Sequence, residues 1–207
     1  MRLVSAIYDD FYPFDEMPGV ESCISTMDPA ALQDGDVLVV WGGADISPAL
    51  YNHKVSQETW AEDYPSHRDR IEWALMNRAK ELNIPIIGVC RGAQMLCALA
   101  GGYLIQHVNN HGGNHKIETN DGKELVVNSL HHQMMYPFEV DHELIAWASP
   151  KRSDVYVKED TKVTVDVEPE FVYFPKVKGF AMQWHPEMMT FPHKSTEYVF
   201  DKIRERL

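Results

Sequence analysis

Pro85-Ile86-Ile87-Gly88-Val89-Cys90-Arg91-Gly92-Ala93-Gln94 is the stretch on which the reading of this 207-residue chain depends. Its first five residues are a short apolar run of the kind a fully buried strand uses, and residues 92–100 suit a helix closed by Gly101-Gly102. A G-x-C-x-G segment between an apolar strand and a helix has the form of a nucleophile elbow, with cysteine where serine often stands. The spacing has a physical basis. A strand that becomes a helix within one or two residues strains the residue at the turn, and glycines two positions to either side leave room for the neighbouring backbone. A thiol at a helix N-terminus is surrounded by free amide N–H groups that favour thiolate. The Arg91 N–H then points where an oxyanion would form. By itself, however, Cys90 is as well explained as a buried core cysteine.

Outward from this segment, strands and helices alternate. Residues 2–8 read as a short buried strand, and residues 37–41 as a continuous apolar strand that ends at Gly42-Gly43. Residues 66–82 fit a helix with Ile71, Leu75, Ala79 and Leu82 along one side. Residues 124–128, 156–167 and 171–174 look like strands of more antiparallel character. Residues 179–184 form one further strand, broken by His185-Pro186, and residues 196–207 a charged terminal helix. The expected architecture is α/β, a mostly parallel central sheet flanked by helices with a smaller antiparallel region. No linker, repeat or low-complexity tract divides the chain, so residues 1–207 are read as a single domain.

Composition removes several function classes. The hydrophobic share is 44% and the charged share 24%, both ordinary for a globular protein, which argues against disorder. No run approaches the ~18 apolar residues of a membrane span, and the N-terminal apolar stretch is too short for a secretory leader. A cytoplasmic protein is expected, with no membrane partner. The net charge of −12 repels phosphate backbones, so no nucleic-acid partner is expected. Three cysteines with no C-x-x-C pair make a disulfide framework or thiolate zinc site a poor reading and leave room for one reactive thiol.

A thiolate nucleophile needs a base, and the base an orienter. In Gln183-Trp184-His185-Pro186-Glu187 the histidine follows an apolar strand that Pro186 stops, and Glu187 stands two residues on, where its carboxylate can hold one ring nitrogen. The third segment is Trp41-Gly42-Gly43-Ala44-Asp45. Glycines at a strand's carboxyl end let backbone N–H groups approach a ligand, so Gly43, or failing it Ala44, is the candidate second oxyanion donor beside Arg91. Sites in open parallel sheets gather at the carboxyl ends of strands, where all three segments fall.

These residues resemble the class I glutamine amidotransferases, and within them the branch of gamma-glutamyl hydrolases and gamma-glutamyl-gamma-aminobutyrate hydrolase (peptidase C26-like). G-G-x-D-x-x-P-x-x-Y is matched from Gly42 to Tyr51, R-D-x-x-E from Arg68 to Glu72, and C-R-G-x-Q from Cys90 to Gln94. G-G-x-L-x-Q-H is matched from Gly101 to His107, N-S-x-H-H-Q from Asn128 to Gln133, and Q-W-H-P-E from Gln183 to Glu187. The family's glycine after the tyrosine is replaced by Asn52. The resemblance implies a flavodoxin-like fold and a Cys90-His185-Glu187 triad. It further implies an oxyanion hole from Gly43 and Arg91, a glutamyl moiety held by Gln94, His131, His132 and Gln133, and no cofactor. The implied reaction is cysteine-dependent hydrolysis of a gamma-glutamyl amide through a thioester. Its small-molecule substrate would be glutamine or a gamma-glutamyl amine or peptide.

Other readings use the same residues. A glutaminase subunit would pass ammonia to a separate synthetase partner. A catalytically inactive binding module is disfavoured because every catalytic position is filled. A metal-binding protein is suggested by His107, His111 and His115 at four-residue spacing. That spacing gathers ligands only on a helix, which Asn109-Asn110 and Gly112-Gly113 oppose, so no metal is expected there.

Overall fold

A computed structural model describes residues 1–207. The first half contains β1 (Arg2–Ser5), β2 (Ser22–Ser25), β3 (Asp36–Val40), α1 (His67–Glu81), β4 (Ile86–Val89) and α2 (Arg91–Leu99). There follow β5 (Tyr103–Ile105), β6 (His107–Val108), β7 (His115–Thr119), β8 (Glu124–Val127), β9 (Met134–Tyr136) and β10 (Glu143–Ala148). The chain closes with β11 (Tyr156–Lys158), β12 (Thr161–Lys162), β13 (Pro169–Phe174), β14 (Gly179–Met182) and α3 (Lys194–Arg204). One sheet has the order β2-β1-β3-β4-β14-β13-β10-β7-β8. Its first five strands are parallel, and β13, β10, β7 and β8 extend it in antiparallel fashion.

The continuous apolar strands have two buried faces to fill. Leu38 and Val40 of β3 pack with Leu75, Met76 and Ala79 of α1 and with Leu96 of α2. Val37 and Val39 point the other way, into a second core with Tyr198, Val199 and Ile203 of α3. Period-two side chains on a doubly covered strand therefore yield an unbroken apolar run rather than an alternation. α1 begins with a capping box: the Asp69 amide donates to Ser66 Oγ, and Asp69 Oδ2 accepts the Ser66 N–H.

The expected long strand over residues 156–167 is instead a hairpin. Glu159 and Asp160 turn the chain with φ of 48° and 62°, pairing Lys158 with Thr161. Strands β7, β9 and β10 were not legible: β7 buries His115 and Thr119 beside a single apolar residue, β9 has three residues, and β10 pairs with β13 through register shifts that break its period. Asn52 adopts φ 57° and ψ 35°, a left-handed conformation in which asparagine is the usual substitute for glycine. No helix is long and apolar enough to cross a membrane.

Candidate active site

Three neighbouring parallel strands deliver three segments to one edge of the sheet. β4 is hydrogen-bonded to β3 on one side and to β14 on the other, with Gly88 opposite Val40 and Val89 opposite Met182. The chain leaves β3 at Trp41-Gly42, β4 at Cys90 and β14 at Gln183, so Gly42, Cys90 and His185 converge past the strands' carboxyl ends. Separations of 48 and 95 residues along the chain (90 − 42 and 185 − 90) collapse because parallel strands share direction as well as proximity.

Cys90 sits between β4 and α2 with φ 50° and ψ −104°, a conformation L residues rarely adopt. Its amide donates to the Met182 carbonyl, which pins the turn to β14. The elbow glycines are needed for close approach. A Cβ on Gly88 would strike the Gly92 backbone, and one on Gly92 would strike the Val40 carbonyl. α2 therefore starts against β3 and β4, with no side chain between.

His185 is buried, and its Nδ1 lies 2.6 Å from Glu187 Oε1. Nε2 is left clear of the carboxylate, and Gly42 brings the ring and Cys90 together: a Cβ built on it would lie 2.6 Å from His185 Cε1 and 3.6 Å from Cys90 Cβ. Burial opposes charging of this ring, but the hydrogen bonds and opposite charges of Cys90 and Glu187 outweigh it. The imidazolium is pushed up to about 10 from its ordinary 6.5. The β3 loop thus packs directly on the ring.

Two supports were not assigned roles from sequence. Asn128 binds the His185 backbone on both sides, accepting from its N–H and donating to its carbonyl. Arg68 Nη2 donates to the carbonyls of Trp41 and Gly42 at 3.1 and 3.0 Å, which fixes the peptide preceding Gly43. Arg68 Nε also reaches Glu72 Oε1, while the buried Arg91 side chain turns away from the cleft to pair with Asp69 and Glu72. The R-D-x-x-E motif is thus a largely buried charge network beneath the Trp41–Gly43 loop, whose only sequence signal was its resemblance to a family pattern.

A cleft of about 520 Å³ opens over the thiol, lined by Tyr8, Asp10, Tyr12, Trp41, Gly42, Gly43, Cys90, Leu130, His185, Glu187 and Met188. Gln94, His131, His132 and Gln133, expected to hold substrate, are not among these residues. Gln94 is buried and donates from Nε2 to the Gln133 carbonyl, His131 Nδ1 bonds the same carbonyl, and His132 pairs with Asp45 under the exposed Trp60. They support the loop that carries Leu130 rather than the cleft wall. Tyr8, Asp10, Tyr12 and Met188 carried no motif that could have marked them. The three histidines of the four-residue spacing do not converge: the His107 ring lies by His132, whereas His111 and His115 both approach Glu170 of β13.

Comparison with known proteins agrees with this architecture. The Peptidase C26 family model matches residues 25–124. The glutamine amidotransferase-like protein YvdE of Lactococcus lactis subsp. lactis is 31% identical over 191 aligned residues, covering 82% of this chain and 72% of the relative. The chain belongs to the class I glutamine amidotransferase-like family. Among solved structures it superposes on a GMP synthase subunit of Thermoplasma acidophilum with a TM-score of 0.64 at 16% identity, covering 100% of this chain and 93% of the other. The glutaminase domain of Trypanosoma brucei CTPS, solved with acivicin bound, gives a TM-score of 0.60 at 13% identity over 99% and 92% of the two chains. The fold is accordingly the flavodoxin-like α/β sheet of glutamine amidotransferases.

Proposed function

We propose that this protein is a cysteine hydrolase of gamma-glutamyl amides, with Cys90 as nucleophile, His185 as proton carrier and Glu187 as the group that orients it. The observation that carries this reading is the strained Cys90 elbow, which shares one cleft with an imidazole whose Nδ1 lies 2.6 Å from a carboxylate. Cys90 Sγ attacks the gamma-carbonyl carbon and the carbonyl electron pair moves to oxygen. The N–H groups of Gly43 and Arg91 hold that oxyanion. His185 gives its proton to the departing nitrogen, the C–N bond breaks, and a thioester remains.

The same imidazole then changes role for an electrostatic reason. Acylation removes the sulfur's charge, and with it part of what holds the His185 proton so firmly. A now neutral His185 takes a proton from water, hydroxide attacks the thioester carbonyl, and the C–S bond breaks to release the gamma-carboxylate. Amide and water are consumed; acid and amine are formed. Asp10 and Glu187 in the cleft wall suit an alpha-ammonium group, and Leu130 supplies an apolar side. Gln94 and the loop of His131, His132 and Gln133 serve by setting the position of Leu130.

The test is incubation with a glutamine-analogue affinity label followed by peptide mass mapping. Modification of Cys90 supports the assignment; modification of Cys23 or Cys97 with Cys90 untouched removes it. A second reading, a glutaminase that supplies ammonia to a synthetase, is favoured by the exposed apolar side chains at the cleft rim, Leu130 (62%) and Met188 (60%). Turnover of glutamine and gamma-glutamyl amines by the isolated chain distinguishes the two, since a hydrolase needs no partner.

A further inference from the structure

We propose that His111, His131 and Glu170 form a binding site for one divalent first-row transition-metal ion. The three residues come from the segment after β6, the segment before β9 and β13, and no pair of them is close in sequence. All three are buried, and one ligand atom from each lies within 4.8 Å of the other two. Both ring nitrogens of His111, Nε2 of His131 and Oε2 of Glu170 make no hydrogen bond. Buried polar atoms are seldom left unpaired, and four of them on three residues gathered this closely require a cause.

The surrounding hydrogen bonds decide where the protons sit. His131 Nδ1 lies 2.8 Å from the Gln133 carbonyl, which can only accept, so the proton is on Nδ1 and the inward Nε2 carries a lone pair. His111 Nε2 stands 3.3 Å from Glu168 Oε1, while its Nδ1 is 3.8 Å from Glu170 Oε1, beyond a hydrogen bond. With the His111 proton on the Glu168 side, Nδ1 also presents a lone pair to Glu170. Glu170 Oε1 is meanwhile bonded to His115 Nε2 at 2.9 Å. Around the cluster, His131 Nδ1 is held by a carbonyl and Glu170 Oε1 by an imidazole, while His111 Nε2 faces a carboxylate at 3.3 Å, groups of the kind that surround metal ligands. Two imidazoles and a carboxylate suit zinc in tetrahedral geometry, with the fourth position left to water or an anion. Such an ion would tie the loop of His131 to β13, whose Phe171 pairs with Met182 of β14, three residues before His185. This inference does not rest on the proposed reaction.

The competing account is that protons on the histidines alone neutralise Glu168 and Glu170. A zinc titration separates the two. Because Cys90 and His185 could themselves take zinc, the Cys90→Ala protein is stripped with chelator and titrated with Zn²⁺ in competition with a chromophoric chelator. One equivalent is expected to bind and to raise the thermal midpoint, and Co²⁺ is expected to give a nitrogen and oxygen ligand-field spectrum without thiolate charge transfer. Adding Glu170→Gln, which keeps the side chain's shape, is expected to weaken Zn²⁺ binding at least ~10-fold with the metal-free midpoint little changed. His111→Asn is expected to do the same. The proposal is overturned if the Cys90→Ala protein takes up no zinc, or if both further variants bind it as tightly as their parent.

Discussion

Asn128 grips the peptide backbone of His185 from both sides, its Oδ1 accepting the His185 N–H and its Nδ2 donating to the His185 carbonyl, each at 2.8 Å. The imidazole therefore stands on a backbone fixed by a residue 57 positions away, and Glu187 has only to orient the ring. Asn128→Ala removes both bonds. It should cost about 1–3 kcal/mol of stability, and displacement of the ring by as little as ~1 Å should lower kcat by about 100-fold. Asn128→Asp keeps the acceptor and loses the donor, so its kcat should fall between the two. Urea unfolding and steady-state kinetics on the three proteins check this; an unchanged kcat in Asn128→Ala would show the ring is held by other means.

Strain at the elbow makes a second prediction that is independent of substrate. Cys90 at φ 50° and ψ −104° occupies backbone space open to glycine but unfavourable to any residue with a Cβ, at a cost of about 1–3 kcal/mol. Glycine also gives the unfolded chain more freedom, which offsets part of the relief, about 0.5–1 kcal/mol. Cys90→Gly should therefore unfold at higher denaturant than Cys90→Ala, by about 1 kcal/mol, with both proteins unable to hydrolyse gamma-glutamyl amides. Equal midpoints would mean the elbow relaxes in solution.

The raised imidazolium of His185 sets a pH dependence whose sign is fixed. Its value in the folded chain is about 10 against 6.5 for the free side chain, because Cys90 and Glu187 overcome the penalty of burial. A raised value means stabilisation that is complete below about 6.5 and lost as pH climbs through about 10. The stability difference between wild type and His185→Ala should thus shrink as pH climbs from 6.5 through 10. In Cys90→Ala the sulfur no longer raises the ring, and the imidazole should titrate at lower pH. Proton–nitrogen correlation spectra of the ring follow both proteins directly.

The charge network below the Trp41–Gly43 loop allows effects on rate and on folding to be separated. Arg68→Met deletes the donor to the Trp41 and Gly42 carbonyls, on a side chain that is partly solvated. It should lower kcat by about 10-fold, as a lost charged hydrogen bond of ~1.5–3 kcal/mol allows, with little change in KM. Arg91→Met instead leaves Asp69 buried without its cation and Glu72 with Arg68 alone, and should cost about 3–5 kcal/mol of stability. Calorimetry beside kinetics distinguishes them: Arg68→Met reports in rate, Arg91→Met in thermal midpoint.

Local sequence carried the parts of this protein that obey short-range rules. Residues 86–99 had to be a strand, a sharp turn and a helix, because an apolar run, a cysteine between spaced glycines and a C-terminal glycine pair allow little else. The candidates for nucleophile, base and orienter were legible for the same reason, since each stands where a strand ends. Elements with a mixed or shifted period, such as β7 and β10, left no comparable mark, and the break in residues 156–167 depended on two residues turning left-handed that are not glycine.

Partnership across the sheet was outside the reach of the sequence. Nothing near position 128 announces that Asn128 clamps His185, and nothing near 94 or 131 announces that both side chains bond the Gln133 carbonyl. His111 was read with His107 and His115 because they are regularly spaced, yet its partners are His131 and Glu170. Periodicity fixes which way a side chain faces within its own element. Which element it then faces follows from strand order and register, and only the folded sheet supplies those.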